Sequence, residues 1–511
     1  MPQLRFISVE GRDGKASKLT SSVRSHAIRA GLRKTTHPRR VKTAAEQSYR
    51  SAKCRDDLMA HFKFPEEFQS LTGLSGPGNA SARLALQECR TAHTNSVPQT
   101  FVETSTQLRA YHIQAVCAGS IDPFNSLPIP TNPEVDCLIK YLITKFGLNL
   151  ATVDRRKSWF PYALQNAPMM HSTLAMTAAL WRAEHSALEY SIQVEGIHQK
   201  GEAMREIRTK LAHAESVGND DDMNFLMATM STLGIVETCD GDFEAAETHL
   251  RGVQDLFSSR GGHDSLKDDF VLCKSINLAD IQVAVALGHR LKFPLLHTDQ
   301  AYLPASIIEQ AWYPPLDHSI LNDSSYYHVR IFVQIRQLLL ARQSSVVSLD
   351  ALRTLLNMAD DAILRHLYQD STDVSDASRR SRALVLAAHV FTYVTLRQVP
   401  PSSPLVRRMC ARLQSIVGLT SSAREIWTEN MAALLWVAFV GLLGMGTGTG
   451  AKTPPGGQWF LALFQCTVQR HPQGCSPGDG SIRRLLSSFL WDELCCQPLL
   501  AGLEERLGQA L

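Results

Sequence analysis

The stretch from Asp220 to Gly262 predicts two consecutive amphipathic helices joined by a tight turn at residues 239–241. Apolar residues recur at intervals of three and four along both halves, which is the spacing of one face of an α-helix. Asp242 stands where an N-cap belongs and Gly261 where a left-handed C-cap glycine belongs. The stripe residues are Met223, Leu226, Met227, Met230 and Leu233, then Phe243, Ala246, Leu250, Val253 and Phe257. Each helix of this hairpin carries an apolar stripe that must pack against further helices, and this restricts the fold of the surrounding chain.

Helical spacing continues through most of the later chain, whereas alternating strand-type patterns of any length are missing. Prolines at 123 and 128 predict an extended entry into the first helix. Further helices are predicted at residues 134–146, 168–181, 188–211, 270–287, 326–342, 349–367, 379–397, 404–417, 422–445, 458–469 and 481–495, before a short tail. We therefore predict an all-α, multi-helix body over residues 121–511.

The first 55 residues are strongly basic. They hold 14 Lys and Arg against 3 Asp and Glu, a net charge of +11, while residues 56–511 hold 38 against 46, a net charge of −8. Such a segment favours contact with nucleic-acid phosphates or recognition for nuclear import. We predict a largely disordered basic arm over residues 1–55. Its candidate contact residues are Arg24, Arg29, Arg33, Lys34, Arg39, Arg40 and Lys42.

Two other interpretations of this arm are open. One is a solvated tail without a partner. The other is a mitochondrial transit peptide, which the Ser-rich and Arg-rich composition favours, but Glu10 and Asp13 argue against it because such peptides avoid acidic residues. Residues 56–120, which mix Ser, Thr, Gly and Asn with weak helical patterns, are predicted to be a linker with short helices.

Two enzyme-like motifs each lack a feature that their chemistry requires. Ser476 lies in a G-x-S-x-G sequence, yet Pro477 has no backbone N–H for an oxyanion hole. Residues 444–453 are similar to a phosphate-binding loop, yet Ala451 replaces the glycine that directly precedes the lysine. The chain also lacks C-x-x-C and H-E-x-x-H patterns, which argues against the common zinc sites. Acidic pairs such as Asp360–Asp361 are predicted to be helix caps or solvated faces. We predict no catalysis, no cofactor and no bound metal.

The cysteines indicate the cellular compartment of the chain, and the longest apolar run indicates whether the chain could enter a membrane. The 11 cysteines are scattered without framework spacing, which favours a reducing compartment. The run from Met431 to Gly446 is shorter than the roughly 20 residues that a membrane helix needs. We therefore predict a buried core helix there and no membrane association.

Several short motifs occur in an order that is characteristic of one family. They are FISVEGRDGK with VRSHAIRAGLRK near the N-terminus, DPFNSLPI at 122–129, PMMHSTLAMTAA at 168–179, GDFEAAETHLRG at 241–252 with RGG at 260–262, WVAFVG at 436–441 and FLW at 489–491. In this order the chain resembles the fungal-specific transcription factor family. Its regulatory domain usually follows a zinc binuclear cluster. The resemblance covers roughly residues 1–50 and 121–500, and the basic start is similar to members that lack the cluster.

The resemblance implies a nuclear, non-enzymatic regulator of transcription, often of a specialised pathway in a filamentous fungus. Its helical body would bind a small effector, other regulators or a second copy of itself. A zinc binuclear cluster needs C-x2-C-x6-C twice, and these 511 residues contain no such pattern. DNA contact through the arm would then be weak and largely independent of sequence. A partner-binding scaffold without DNA contact is the second hypothesis, and a helical enzyme with an unrecognised pocket is the third.

Overall fold

The computed structural model describes residues 127–510 except for 151–157, 186–187, 213–219, 263–265, 267–268, 297–301, 314, 318–325, 370–374, 402, 419–426, 428–429, 447–454 and 472–479. The predicted arm and linker, residues 1–55 and 56–120, lie outside the described residues. Within the described ranges the chain forms sixteen α-helices and no β-strand, so the all-α prediction is confirmed.

The helices are α1 (Pro133–Leu150), α2 (Trp159–Ala163), α3 (Ala167–Glu184), α4 (Tyr190–Ala212), α5 (Asp220–Asp240), α6 (Phe243–Ser259), α7 (Phe270–Leu287), α8 (Ala305–Gln310), α9 (Tyr326–Gln343), α10 (Leu349–Leu367), α11 (Asp376–Thr395), α12 (Pro404–Val417), α13 (Met431–Met445), α14 (Pro455–Arg470), α15 (Ser481–Ser487) and α16 (Glu493–Ala510).

The predicted hairpin is α5 and α6. The Asp242 carboxylate accepts a hydrogen bond from the Ala245 backbone N–H at 3.0 Å, as an N-cap does, and Gly261 has a φ of 87°. The one-sided stripe predicted for α5 understates its burial, because α5 packs against α3, α6 and α7 and is buried at every position from 226 to 238. The hairpin prediction is confirmed, and α5 is a central helix rather than a surface one.

The second half of the described chain packs around α13. Every residue from 433 to 445 is buried, which confirms the predicted core helix, and α13 packs against α11, α12 and α14. Large aromatic side chains fill the surrounding core: Phe332, Trp436, Phe439, Phe460, Phe464 and Phe489. In the described residues one helix, α7, is long and apolar enough to cross a membrane, and 72% of that stretch is buried inside the protein.

Three arginines bind carbonyl groups at the C-terminal ends of other helices. Arg336 donates to the carbonyls of Ser488 and Phe489, just after α15, at 2.8 and 3.0 Å. Arg342 donates to the last carbonyl of α11 at 2.7 Å, and Arg412 donates to two carbonyls in the last turn of α7. The last carbonyls of a helix lack partners within it, so each guanidinium satisfies them and joins two elements.

One predicted helix is wrong, because the helix predicted over 481–495 is two helices, α15 and α16. Asp492 divides this pair, because its carboxylate accepts the Cys495 backbone N–H at 3.0 Å and so caps α16. α16 then runs to Ala510 instead of ending in a short tail. Of the helix predicted over 422–445, residues 431–445 form α13, and 422–426 and 428–429 lie outside the described residues.

Candidate functional site

The most deeply buried charge in the described chain is a carboxylate held between α10 and α11. Asp360 is 0% exposed, its Oδ1 lies 2.8 Å from His389 Nε2, and its Oδ2 accepts from Arg397 Nε at 2.8 Å. Arg397 also donates to Asn357 at 2.9 Å, and its guanidinium lies 5.8 Å from the centre of the Tyr393 ring. The prediction that Asp360 is a cap or a solvated residue is therefore wrong.

The aspartate–histidine pair has the residue types of an acid–base site but not its access. Burial alone would raise the pKa of Asp360, but Arg397 and His389 outweigh burial and hold that pKa below its usual range. The carboxylate is therefore ionised and satisfied. His389 is 1% exposed, so no substrate atom can reach the imidazole. Asp360, His389 and Arg397 join α10 to α11 and to the residue Arg397 that follows α11. We assign these three residues a structural role.

A second ionic cluster joins α3, α4, α5 and α6. Lys200 Nζ lies 2.6 Å from Glu237 and 3.3 Å from Asp240, and Arg182 forms an ion pair with Asp240. His249 of α6 lies 3.7 Å from Glu237. The cluster crosslinks four helices around the centre of the fold.

Metal-ligating side chains do not converge in the described residues, where no group of three or more His, Cys, Asp or Glu could hold an ion. The nearest approach is a pair of imidazoles, His328 and His366, whose Nε2 atoms lie 3.0 Å apart beside the Ser381 hydroxyl. Two histidines and one hydroxyl fall short of the three protein ligands of a catalytic zinc.

An open groove of about 300 Å³ lies between α9, α10 and the segment that carries α8. One wall contains Leu303, Ile308 and Trp312, and the other contains Val329 and Val333 of α9 with Leu355 of α10. Ile308 and Trp312 are 43% and 48% exposed. Large exposed apolar side chains that line one concave surface together are a mark of a binding site, so this groove is a candidate ligand pocket of the described chain.

Three polar side chains of α9 line the same groove: Arg330, Gln334 and Gln337. They follow one another at intervals of four and three, so they lie on one helix face. None has a hydrogen-bond or ion-pair partner among the described residues. The groove therefore offers apolar walls with one cation and two amides, which suits a flat apolar molecule that bears an anionic oxygen group. We call this surface the Arg330 groove.

Sequence reasoning did not identify the Arg330 groove, and it named other residues as candidates. All seven arm residues, Arg24 to Lys42, lie outside the described residues, as do Ser476 and Ala451. The six-residue helix α8 is too short to show a period. The available signal was the presence of Tyr302, Trp312 and Tyr313 in a segment without a clear helical period.

Comparison with protein families matches residues 142–441 to the fungal specific transcription factor domain. The matched range begins in α1 and ends in α13, so it includes the hairpin, the Asp360 cluster and the Arg330 groove. A search of curated proteins and a search of solved structures each returned no match.

Proposed function

The chain belongs to the fungal-specific transcription factor domain family, and on that premise we propose that it is a nuclear regulator that controls a defined gene set, such as that of a specialised-metabolism pathway. The observation that carries the proposal is the family match over most of the helical body, from α1 to α13. The proposal includes no catalytic activity, because the family acts in transcription regulation. The Asp360–His389 pair is compatible with a non-enzymatic function, because both side chains are buried out of reach of a substrate.

The proposal gives the basic arm the role of nuclear import or of phosphate contact on DNA. Its support is the net charge of +11 over residues 1–55. If the arm binds duplex DNA, affinity should fall steeply with salt, with a slope that reflects the number of phosphates neutralised. A scaffold that acts only through another regulator would lack this dependence.

Deleting the gene should change the transcripts of a limited gene set, and the intact chain should restore them. A chain in which Arg24, Arg29, Arg33, Arg39 and Arg40 are changed to alanine should fail to restore them and should lose retardation of duplex DNA. RNA sequencing of the complemented strains measures the first effect. A matched control replaces five exposed arginines of the body with alanine: Arg379, Arg382, Arg407, Arg408 and Arg484. Full restoration by the arm variant, with unchanged nuclear localisation, would contradict the arm's role.

We further propose that the Arg330 groove is the effector site of this regulator. Its apolar walls would cover a flat ring system, and Arg330 would bind a carboxylate, phenolate or sulfonate at one end. An anilinonaphthalene sulfonate dye combines both properties and is therefore a suitable probe.

The dye should gain fluorescence on binding the intact chain, and Trp312→Ala and Arg330→Ala should each weaken that binding about tenfold, as loss of one charge-assisted contact or one ring contact predicts. Fluorescence titration at neutral pH measures the effect. Arg407→Ala removes an exposed arginine from α12 and should leave the affinity unchanged. Equal affinity of the Arg330 and Arg407 variants would rule out the groove as the anion-binding site.

A further inference from the structure

Helix α4 has two apolar faces, although a helix at the surface of a body needs only one. Its inner face is buried at Ile192, Gly196, Gln199, Ala203 and Ile207. On the opposite face Tyr190, Val194 and Ile197 are 79%, 44% and 65% exposed. Exposed apolar side chains that are scattered singly are ordinary, but three on one helix face form a stripe.

The spacing of this outer stripe is that of a helix–helix seam. Tyr190, Val194, Ile197 and Gly201 follow one another at intervals of four, three and four, which is the a/d spacing of a heptad repeat. Gly201 continues the stripe with a gap rather than a side chain, because a Cβ atom built there would have no heavy atom within 4 Å. The stripe thus contains one large ring, that of Tyr190, and eleven residues later one residue without a side chain, Gly201.

This stripe is complementary to itself when two copies pair antiparallel. In an antiparallel heptad seam each a position meets a d position of the other helix. That register sets Val194 against Ile197, and it sets the Tyr190 ring over Gly201 of the second copy. The large ring then fills the space that the glycine leaves open, at both ends of the seam, as a two-fold axis requires.

The flanking positions are compatible with the same register. Gln193 would lie beside Lys200 of the other copy, and Ser191 beside His198, so no two like charges face each other. Lys200 is already paired with Glu237 and Asp240 of its own chain. A parallel pairing would instead set Tyr190 on Tyr190 and leave the two glycines facing each other across a void.

We propose that α4 forms a homodimer interface, in which the outer stripe of one copy packs antiparallel on the outer stripe of a second copy. Tyr190 occupies the position above Gly201 of the other copy. Because one helix face is smaller than a standard protein interface, the association is weak and depends on concentration. The inference rests on the described geometry of α4 and not on the proposed regulatory function.

Analytical ultracentrifugation of the full chain over a wide concentration range tests the proposal. The wild type should approach twice the monomer mass at high concentration, whereas Ile197→Glu should remain at the monomer mass, because it places charges at the centre of the seam. Val346→Glu is the matched control, since Val346 is 77% exposed and lies after α9 rather than on α4. A wild type that stays monomeric throughout would overturn the proposal, as would an Ile197→Glu variant that dimerises like wild type.

Gly201→Leu separates the interface role from a folding role. Leucine favours helix over glycine, and its side chain enters open space in the monomer, so thermal stability should not fall. In the dimer it occupies the place of the Tyr190 ring, so the mass should return to that of the monomer. If Gly201→Leu dimerises like wild type, the antiparallel register is overturned.

Discussion

Replacing Asp360 with alanine is expected to lower the free energy of unfolding by about 3–5 kcal/mol, the cost of removing one partner from a buried ion pair. Asp360 is 0% exposed, and its carboxylate is the shared acceptor for Arg397 and His389. Without it the Arg397 guanidinium stays largely buried and keeps, among the described residues, its hydrogen bond to Asn357 and its position over the Tyr393 ring. Chemical denaturation followed by circular dichroism measures the loss.

The neighbouring Asp361 provides the control. Asp361 accepts from Arg365 one turn further along α10 at 2.9 Å, but this arginine side chain is 65% exposed. An ion pair in contact with solvent contributes about 0–1 kcal/mol, so Asp361→Ala should change stability by that amount or less. A similar loss in both variants would mean that the buried carboxylate has no special role.

Acid should remove part of the Asp360 contribution. The pKa of Asp360 is held below its usual range in the folded protein, so its contribution to stability is present above the unfolded pKa of about 4 and is lost as pH falls through the folded value. In Asp360→Asn the free energy of unfolding should therefore fall less steeply as the pH is lowered.

Replacing Asp360, His389 and Arg397 together with apolar residues should lower the free energy of unfolding less than Asp360→Ala does, because no buried charge is then left unpaired.

The parts of the fold that local sequence determines were predictable. The Asp242 cap, the Gly261 stop and the stripe of α6 depend on residues within one or two turns of each other, and all three are present. Glu247 and Arg251, four residues apart on α6, lie 3.8 Å from each other, although Glu247 lies closer, at 2.8 Å, to Lys292. Periodicity therefore located most helices, and the order of motifs indicated the family.

Features that depend on distant residues were not predictable. Asp360 meets partners 29 and 37 residues later in the chain, so its sequence neighbours, which include Asp361, suggested a solvated face. The Arg330 groove combines α9 with a loop segment and with Leu355. The division between α15 and α16 escaped detection because Phe489 and Leu490 continue the apolar pattern through it.

Gly196→Ala is expected to lower the free energy of unfolding by about 1–3 kcal/mol, although alanine is intrinsically the better helix former. Gly196 lies on the inner face of α4, where α3 crosses it. A Cβ atom built on Gly196 would lie 2.5 Å from the Ala178 Cβ, and neither atom can move without its backbone. The two helices must therefore separate, and the ionic contacts of Lys200 and Arg182 with the end of α5 are disturbed as well.

Gly201→Ala, five residues along the same helix, should have the opposite sign. Its added methyl group meets nothing within 4 Å, so the helix-propensity gain of up to about 1 kcal/mol is not opposed. Thermal denaturation at a concentration too low for association compares the two variants. Equal stabilisation by both would show that α3 and α4 are not in close contact.

A double-mutant cycle identifies the atom responsible. Ala178→Gly removes the opposing methyl group and should itself destabilise by about 1 kcal/mol through lost helix propensity. In the Ala178→Gly background, Gly196→Ala no longer meets a Cβ atom, so it should become neutral or stabilising. Residues in contact typically show such coupling, whereas distant ones add independently. If the two substitutions are additive, the loss in Gly196→Ala arises somewhere other than the α3–α4 crossing.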